Sequence, residues 1–443
     1  MRKLFVTVFI ALMIPTLVSA GMVEHVKRKS IDGIDVIGYP MPVKDVVTIL
    51  GALPAGDTLA VANHDNAAAA ALTALMLDRG TAKQDKFAIA SKLESVGASV
   101  HFSVQDQILQ IQARCLKSDL PLLMNLIAEQ LRSPAFSQSE FDKARQQLIG
   151  QLKNAMGNVQ QRSAVTFRRG VFPPGHPNYE ASIGEDLAAA QKLRLDEVKA
   201  FHQKYYGPDH MTLVLVGDVD MARVDGLVAG AFRGWKGGVG YLRNVGPAGG
   251  SEPQHHDVDV EVPGKASTLL VIGQATGLRN TDPDALALQM GTAVLGNPFT
   301  GRLIDTVRRK EGLTYGIEAR LADDTFSDGS WQITGTFAPE LLNQGVTSAQ
   351  RELRRWWADG VTDQELAARK ANLIGTYLVE LSDTTGMAHA LLNAVLQGRD
   401  VNWLDQYPSA IDALTVQQVN TAIRRHLDPG KMLFVKTGTL PTS

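Results

Sequence analysis

A zinc hydrolase holds its metal with about three protein ligands, and two of them commonly stand four residues apart on one face of a helix. The chain has ten histidines, and none has another histidine three or four residues away. His255 and His256 are adjacent, so on a strand they point different ways and read as surface residues. His64, His101 and Asp106 form no recognisable catalytic constellation. Cys115 is the only cysteine, which excludes an intrachain disulfide. Lys and Arg number 44 against 46 Asp and Glu, so there is no basic field of the kind that attracts nucleic acid.

The elements that would position any site repeat along the chain. Leu195-Asp196-Glu197-Val198 is followed by Pro208, Met211 and Gly217, and Thr415-Val416-Gln417-Gln418-Val419 by Pro429, Met432 and Gly438. Pro208/Pro429, Met211/Met432 and Gly217/Gly438 share one offset of 221 residues. Leu148-Ile149-Gly150 recurs as Leu373-Ile374-Gly375 at a slightly different offset, as loop insertions would cause. Such a period is too long for a solenoid and fits a duplicated domain. Hydrophobic periodicity predicts strands over 46–52, 98–104, 108–115 and 211–216, and helices over 66–77, 86–96, 120–131, 139–155 and 195–205. The second half follows the same order: strands over 268–273, 315–320, 329–336 and 432–436, and helices over 283–295, 340–358, 362–381 and 416–427. The expected fold class is α+β: two homologous domains, each a mostly antiparallel sheet covered by helices.

Residues 1–20 read as a secretory signal. Arg2 and Lys3 precede an apolar run that ends in the small-residue site Val18-Ser19-Ala20. The competing reading is an uncleaved anchor. No cysteine follows the run, so a lipid has no attachment point, and a periplasmic or otherwise exported protein is expected. Residues 21–235 then form the first domain and 255–443 the second. The glycine-rich stretch 236–254 links them, and 44% apolar residues can supply two cores.

Several segments resemble the pitrilysin/insulinase family of zinc peptidases, the inverzincins, and their relatives in mitochondrial processing peptidase. Tyr206-Gly207-Pro208 with the strand Met211-Thr212-Leu213-Val214-Leu215-Val216-Gly217 is similar to one family strand and the turn before it. Leu295-Gly296-Asn297-Pro298-Phe299-Thr300-Gly301-Arg302-Leu303 resembles the family's glycine-rich loop, and Arg308-Arg309-Lys310-Glu311-Gly312-Leu313-Thr314-Tyr315 its second-domain Arg/Tyr motif. The resemblance implies homologous domains that enclose a peptide-binding chamber within a chain or between two chains. It also implies H-x-x-E-H on a first-domain helix, with a further glutamate from a later helix completing the zinc shell.

Met76-Leu77-Asp78-Arg79-Gly80-Thr81 fits the sequence after that motif, which sets the five motif positions on Ala71-Leu72-Thr73-Ala74-Leu75. Both histidines are replaced, by Ala71 and Leu75, and Ala74 stands where the glutamate would be. The distal acid falls at Gly150 or Gln151, neither an anionic ligand. The resemblance therefore implies no zinc and no hydrolysis on this chain. It does carry Arg308 and Tyr315, whose guanidinium and hydroxyl would hold a substrate backbone and an oxyanion beside a zinc site on another chain. The expected protein is a pseudo-peptidase: the non-catalytic subunit of a heterodimeric, exported zinc endopeptidase, with the metal on the partner subunit. The alternative is an inert peptide-binding or scaffold protein of the same fold. Elemental analysis of the isolated chain after chelator dialysis should find no stoichiometric zinc; one tightly held zinc per chain would overturn the motif assignment.

Overall fold

The computed structural model describes residues 21–243 and 256–440. The expected signal segment, residues 244–254 of the linker and His255 lie outside the described residues. Eleven strands form two sheets among the described residues. β1 (Lys27–Ile31), β2 (Ile34–Pro40), β3 (Val46–Leu53), β4 (Ser99–Gln105), β5 (Ile108–Leu116) and β6 (Thr212–Gly217) lie in the order β1-β2-β6-β3-β5-β4. β7 (Asp257–Glu261), β8 (Thr268–Ala275), β9 (Thr314–Ala322), β10 (Ser330–Phe337) and β11 (Leu433–Gly438) lie in the order β7-β11-β8-β10-β9. Without β1, the two orders coincide strand for strand. Even the parallel pairs correspond, β2 with β6 and β7 with β11.

The repeated glycines have a physical reason. Gly217 and Gly438 end β6 and β11 with φ of +131° and +142°, where a side chain is strained. A Cβ would stand 2.1 Å from the Val46 carbonyl oxygen at Gly217 and 2.6 Å from that of Ser267 at Gly438. The same close approach to the neighbouring strand therefore disfavours a side chain at both positions.

The helices also run in matching order. Asn66 caps Ala67–Met76 by accepting from the Ala68 amide, and Ser137 caps Gln138–Met156 through the Glu140 amide. Their second-half counterparts are Ala285–Gly296 and Asp363–Glu380, the latter closed by a capping box between Thr362 and Glu365. Val159–Val171 follows the long first-half helix, and Thr384–Leu396 follows the long second-half one.

Each of these two short helices leaves its own half. β6 is buried on both faces. Leu213 and Leu215 join the core made with the first half's own helices, while Val214 and Val216 face Met387, Leu391 and Leu392 of Thr384–Leu396. In the second half, Ile272 and Phe434 face that half's own helices, while Val271, Leu433 and Val435 pack on Phe167 and Val171 of Val159–Val171. Each half thus covers the outer face of the other's sheet. The Thr48 and Thr384 hydroxyls, hydrogen-bonded at 2.8 Å and buried, fix one crossing.

Polar contacts fix the joint beside it. Arg168 forms ion pairs with Glu180 at 3.3 Å and with Asp323 of the β9–β10 turn at 2.6 Å. His176 Nε2 meets Asp328 at 2.9 Å, and the Asn178 amide donates to the Asp323 and Asp328 carbonyl oxygens. Residues 236–243 of the expected linker are held too: the Gln107 side chain exchanges two 2.8 Å hydrogen bonds with the Leu242 backbone.

Phe167 is 1% exposed, so Phe167→Ala should cost about 3–5 kcal/mol. Because Phe167 belongs to one half and packs on the other, both sheets should lose stability together. Hydrogen exchange on the variant checks this: equal loss of protection in β6 and β11 is expected, and loss confined to one sheet would contradict reciprocal cover.

Candidate functional site

The degenerate metal position is an apolar helix face. Ala71 and Leu75 are half-buried and pack against the first-half core, and Ala74 is buried. Thr73, between them, turns its hydroxyl back onto the Ala69 carbonyl oxygen at 2.6 Å. On the facing helix Gln151 is exposed, and a Cβ at Gly150 would meet nothing within 4 Å. Alanine and leucine side chains offer no lone pair, so these residues do not fit a zinc ion. No group of three or more His, Cys, Asp or Glu is placed to hold a metal among the described residues.

Arg79 links the two helices instead. Its Nε donates to the Leu75 carbonyl oxygen at 3.0 Å, and its guanidinium reaches Glu140 at 3.3 Å and the Gln147 side chain. Glu140 also accepts from Lys143 and Lys86, and these two ammonium groups hold its pKa down at about 2.

Arg308 and Tyr315 stand on the second half. Ile304–Lys310 forms a π-helical turn, a rare form that recurs at functional positions. The turn closes with the Gly312 amide donating to the Arg308 carbonyl oxygen at 3.0 Å and the Leu313 amide to that of Val307 at 2.9 Å. Gly312 takes φ +67°, and β9 starts at Thr314. Of the three consecutive basic residues, Arg309 binds the Phe299 carbonyl oxygen and Lys310 pairs with Asp305 at 2.7 Å. Arg308 is exposed, and its side chain has no hydrogen bond or ion pair among the described residues. Tyr315, on an edge strand of the sheet, is 93% exposed, and Phe299 at the tip of the glycine-rich loop is 75% exposed. Asn297 shapes that tip by accepting from the Phe299 and Thr300 amides.

The remaining sequence candidates separate. His64 and Asp106 line one cavity of about 380 Å³ near Arg168, Glu180 and Asp186, whereas His101 is exposed on β4 outside it. Burial raises the pKa of Asp106 and of Glu180, and pushes Asp186 up to about 6. Sequence reasoning missed Arg168 and His176, because their carboxylate partners Asp323 and Asp328 lie about 150 residues on.

A duplicated α+β frame that keeps the second-half arginine and tyrosine but has an apolar helix in place of metal ligands defines a peptidase-type protein without a metal site. Two family descriptions match the chain: insulinase (peptidase family M16) over residues 60–169, and the peptidase M16 inactive domain over 192–373. The chain belongs to the M16 peptidase family, and its residues 192–373 match the description of that family's inactive domain. It is 23% identical to an uncharacterised zinc protease of Streptomyces coelicolor, over 79% of this chain and 76% of that one. It is 22% identical to the non-peptidase homolog YmxG of Helicobacter pylori, over 82% and 83%. Its fold matches the crystal structure of a peptidase M16 inactive domain from Pseudomonas fluorescens with TM-score 0.83 at 23% identity, covering 94% of this chain and 99% of that one. It also matches the periplasmic protease PqqL of Escherichia coli with TM-score 0.72 at 15% identity, covering 94% and 46%.

The Lys143 and Lys86 contacts of Glu140 set a pH dependence. The carboxyl has a pKa of about 2 when folded against 4.5 unperturbed, so its contribution is complete above pH 4.5 and fades as pH falls towards 2. Glu140→Gln should therefore be less stable than the parent at pH 7, with the gap closing below pH 4.5. Urea titrations at pH 7 and pH 3 measure it, and a gap that widens in acid would refute the assignment.

Proposed function

We propose that this chain is the non-catalytic subunit of an exported, heteromeric zinc endopeptidase of the M16 family. It closes the peptide chamber and presents Arg308 and Tyr315 to the zinc site of a catalytic partner subunit. The observation that carries the reading is the exposure of Tyr315 together with the guanidinium of Arg308, which has no partner among the described residues. An aromatic ring left almost wholly in water gains nothing for the fold, and a cation without a partner beside it is available to a ligand. The rigid turn at residues 304–313 places both groups without help from either side chain. The division of labour follows: the zinc, absent from the positions of Ala71, Leu75 and Gln151, belongs to the partner's first domain. This chain supplies a hydroxyl donor for the tetrahedral oxyanion and a guanidinium for the peptide backbone.

Export is supported by the apolar segment at residues 4–18 behind Arg2 and Lys3, and by the likeness to a protease described as periplasmic. No helix among the described residues is long and apolar enough to cross a membrane.

In the reconstituted two-chain complex, Tyr315→Phe removes one hydroxyl and little volume, and turnover should fall about 10²-fold. Arg308→Ala should lower turnover with a larger effect on substrate affinity. Both variants should assemble as the parent does, because neither side chain is used in folding. Peptidase assay of each complex checks this. If both assemble and cleave at the parental rate, the chain is an inert peptide-binding scaffold.

A further inference from the structure

The second half contains a cavity of about 500 Å³ between Ala285–Gly296, β9 and the helices Asp363–Glu380, Thr384–Leu396 and Trp403–Ala413. That size is in the range of small-ligand sites. It lies against the second-half counterpart of the helix that carries Ala71 and Leu75; Gly296, Asn297 and Pro298 of the glycine-rich loop line it, and the Arg308/Tyr315 turn does not. Its floor is apolar, with Ala293, Leu321 and Leu373.

Its polar lining mixes side-chain amides and hydroxyls with two arginines. The guanidinium of Arg399 lies over the Trp403 ring, 4.0 Å from the centroid, and donates to the Asn280 carbonyl oxygen. These contacts fix its plane, yet its Nε is buried without a hydrogen-bond partner. Arg320, on β9, has no hydrogen bond or ion pair from its side chain among the described residues. The one carboxylate in the wall, Asp324, has its pKa raised by burial and faces the charge of Arg399. Tyr377 is already committed, donating to the Leu404 carbonyl oxygen at 2.9 Å. The guanidinium of Arg399, the exposed one of Arg320 and the apolar floor suit a planar anion attached to an apolar body.

We propose that this cavity is a peptide subsite that takes a carboxylate, from a peptide C-terminus or from an acidic side chain, through Arg320 and Arg399. The proposal rests on the reading of the chain as one that receives peptides, and it gives that reading a substrate class. The subsite acts as an anchor away from the hydrolytic centre and selects peptides that carry a negative charge at a set distance from the bond presented to the partner.

The test uses the full chain alone and calorimetric titration with four capped tripeptides: acetyl-Ala-Leu-Ala with a free carboxylate, its amide, and acetyl-Ala-Glu-Ala and acetyl-Ala-Gln-Ala as amides. At least one carboxylate peptide should bind about tenfold more tightly than its neutral counterpart. Which pair differs identifies the C-terminus or the side chain as the source. Arg320→Gln should remove that difference, and Ala293→Phe, which fills the floor, should abolish binding, both with unchanged circular dichroism. Equal binding of charged and neutral peptides, no binding of either carboxylate peptide, or binding unchanged in both Arg320→Gln and Ala293→Phe would overturn the subsite. None of these results bears on turnover by the two-chain complex, so the anchor and the role of Arg308 and Tyr315 stand or fall separately.

Discussion

Both sheets in this protein have two apolar faces, and neither half has enough helix to cover both of its own. That shortage organises the molecule. Val214 and Val216 on one side, and Val271 and Val435 on the other, would lie in water if the halves stood apart. A β-sheet with an exposed apolar face is an association surface. Here the association is internal, with one helix from each half laid on the other's sheet. The joint built from Arg168, Asp323, His176 and Asp328 then has a fixed geometry, and Arg308 and Tyr315 keep a constant relation to the first half. A group that is to meet a reacting centre on another chain needs such rigidity, since small misplacements cost much of the benefit.

The apolar helix at the old metal position is a stable solution in its own right. Where a metal would draw two helices together, Arg79 binds the end of one helix and the Glu140 and Gln147 side chains of the other. The first half is therefore held together without a metal between these two helices. Along residues 308–310, two of the three cations are used by the fold, and one is left over.

Much of this was legible in the sequence, for identifiable reasons. The repeated glycines marked a conformation that only glycine tolerates, so they survived divergence and exposed the duplication. The capped helices over 66–77 and 362–381 were readable because Asn66 and Thr362 announce them. Val159–Val171 and Thr384–Leu396 were missed. Their apolar residues answer to a sheet in the other half, and Thr384–Leu396 is apolar on most of its surface, so no amphipathic stripe set it apart from a core segment. β7 was missed as a short strand whose partner β11 lies far along the chain, and β1 and β2 were missed although they form a hairpin across Asp32-Gly33. The motif positions Ala71, Ala74, Leu75 and Gln151 could be placed because neighbouring residues kept their spacing. The cavity around Arg399 could not, because Asn280, Asp324 and Arg399 come together only through the β9–β10 turn and the start of Trp403–Ala413.

The crossed helices also set a timetable. Translation completes the first sheet at β6, yet the helix that covers its outer face ends at Leu396. At roughly 5–20 residues per second, the ribosome leaves that face bare for roughly ten to thirty seconds. The nascent first half is therefore a sticky intermediate by construction. A holding chaperone, or passage across a membrane before folding, would keep it from pairing with the wrong sheet until its own second half arrives.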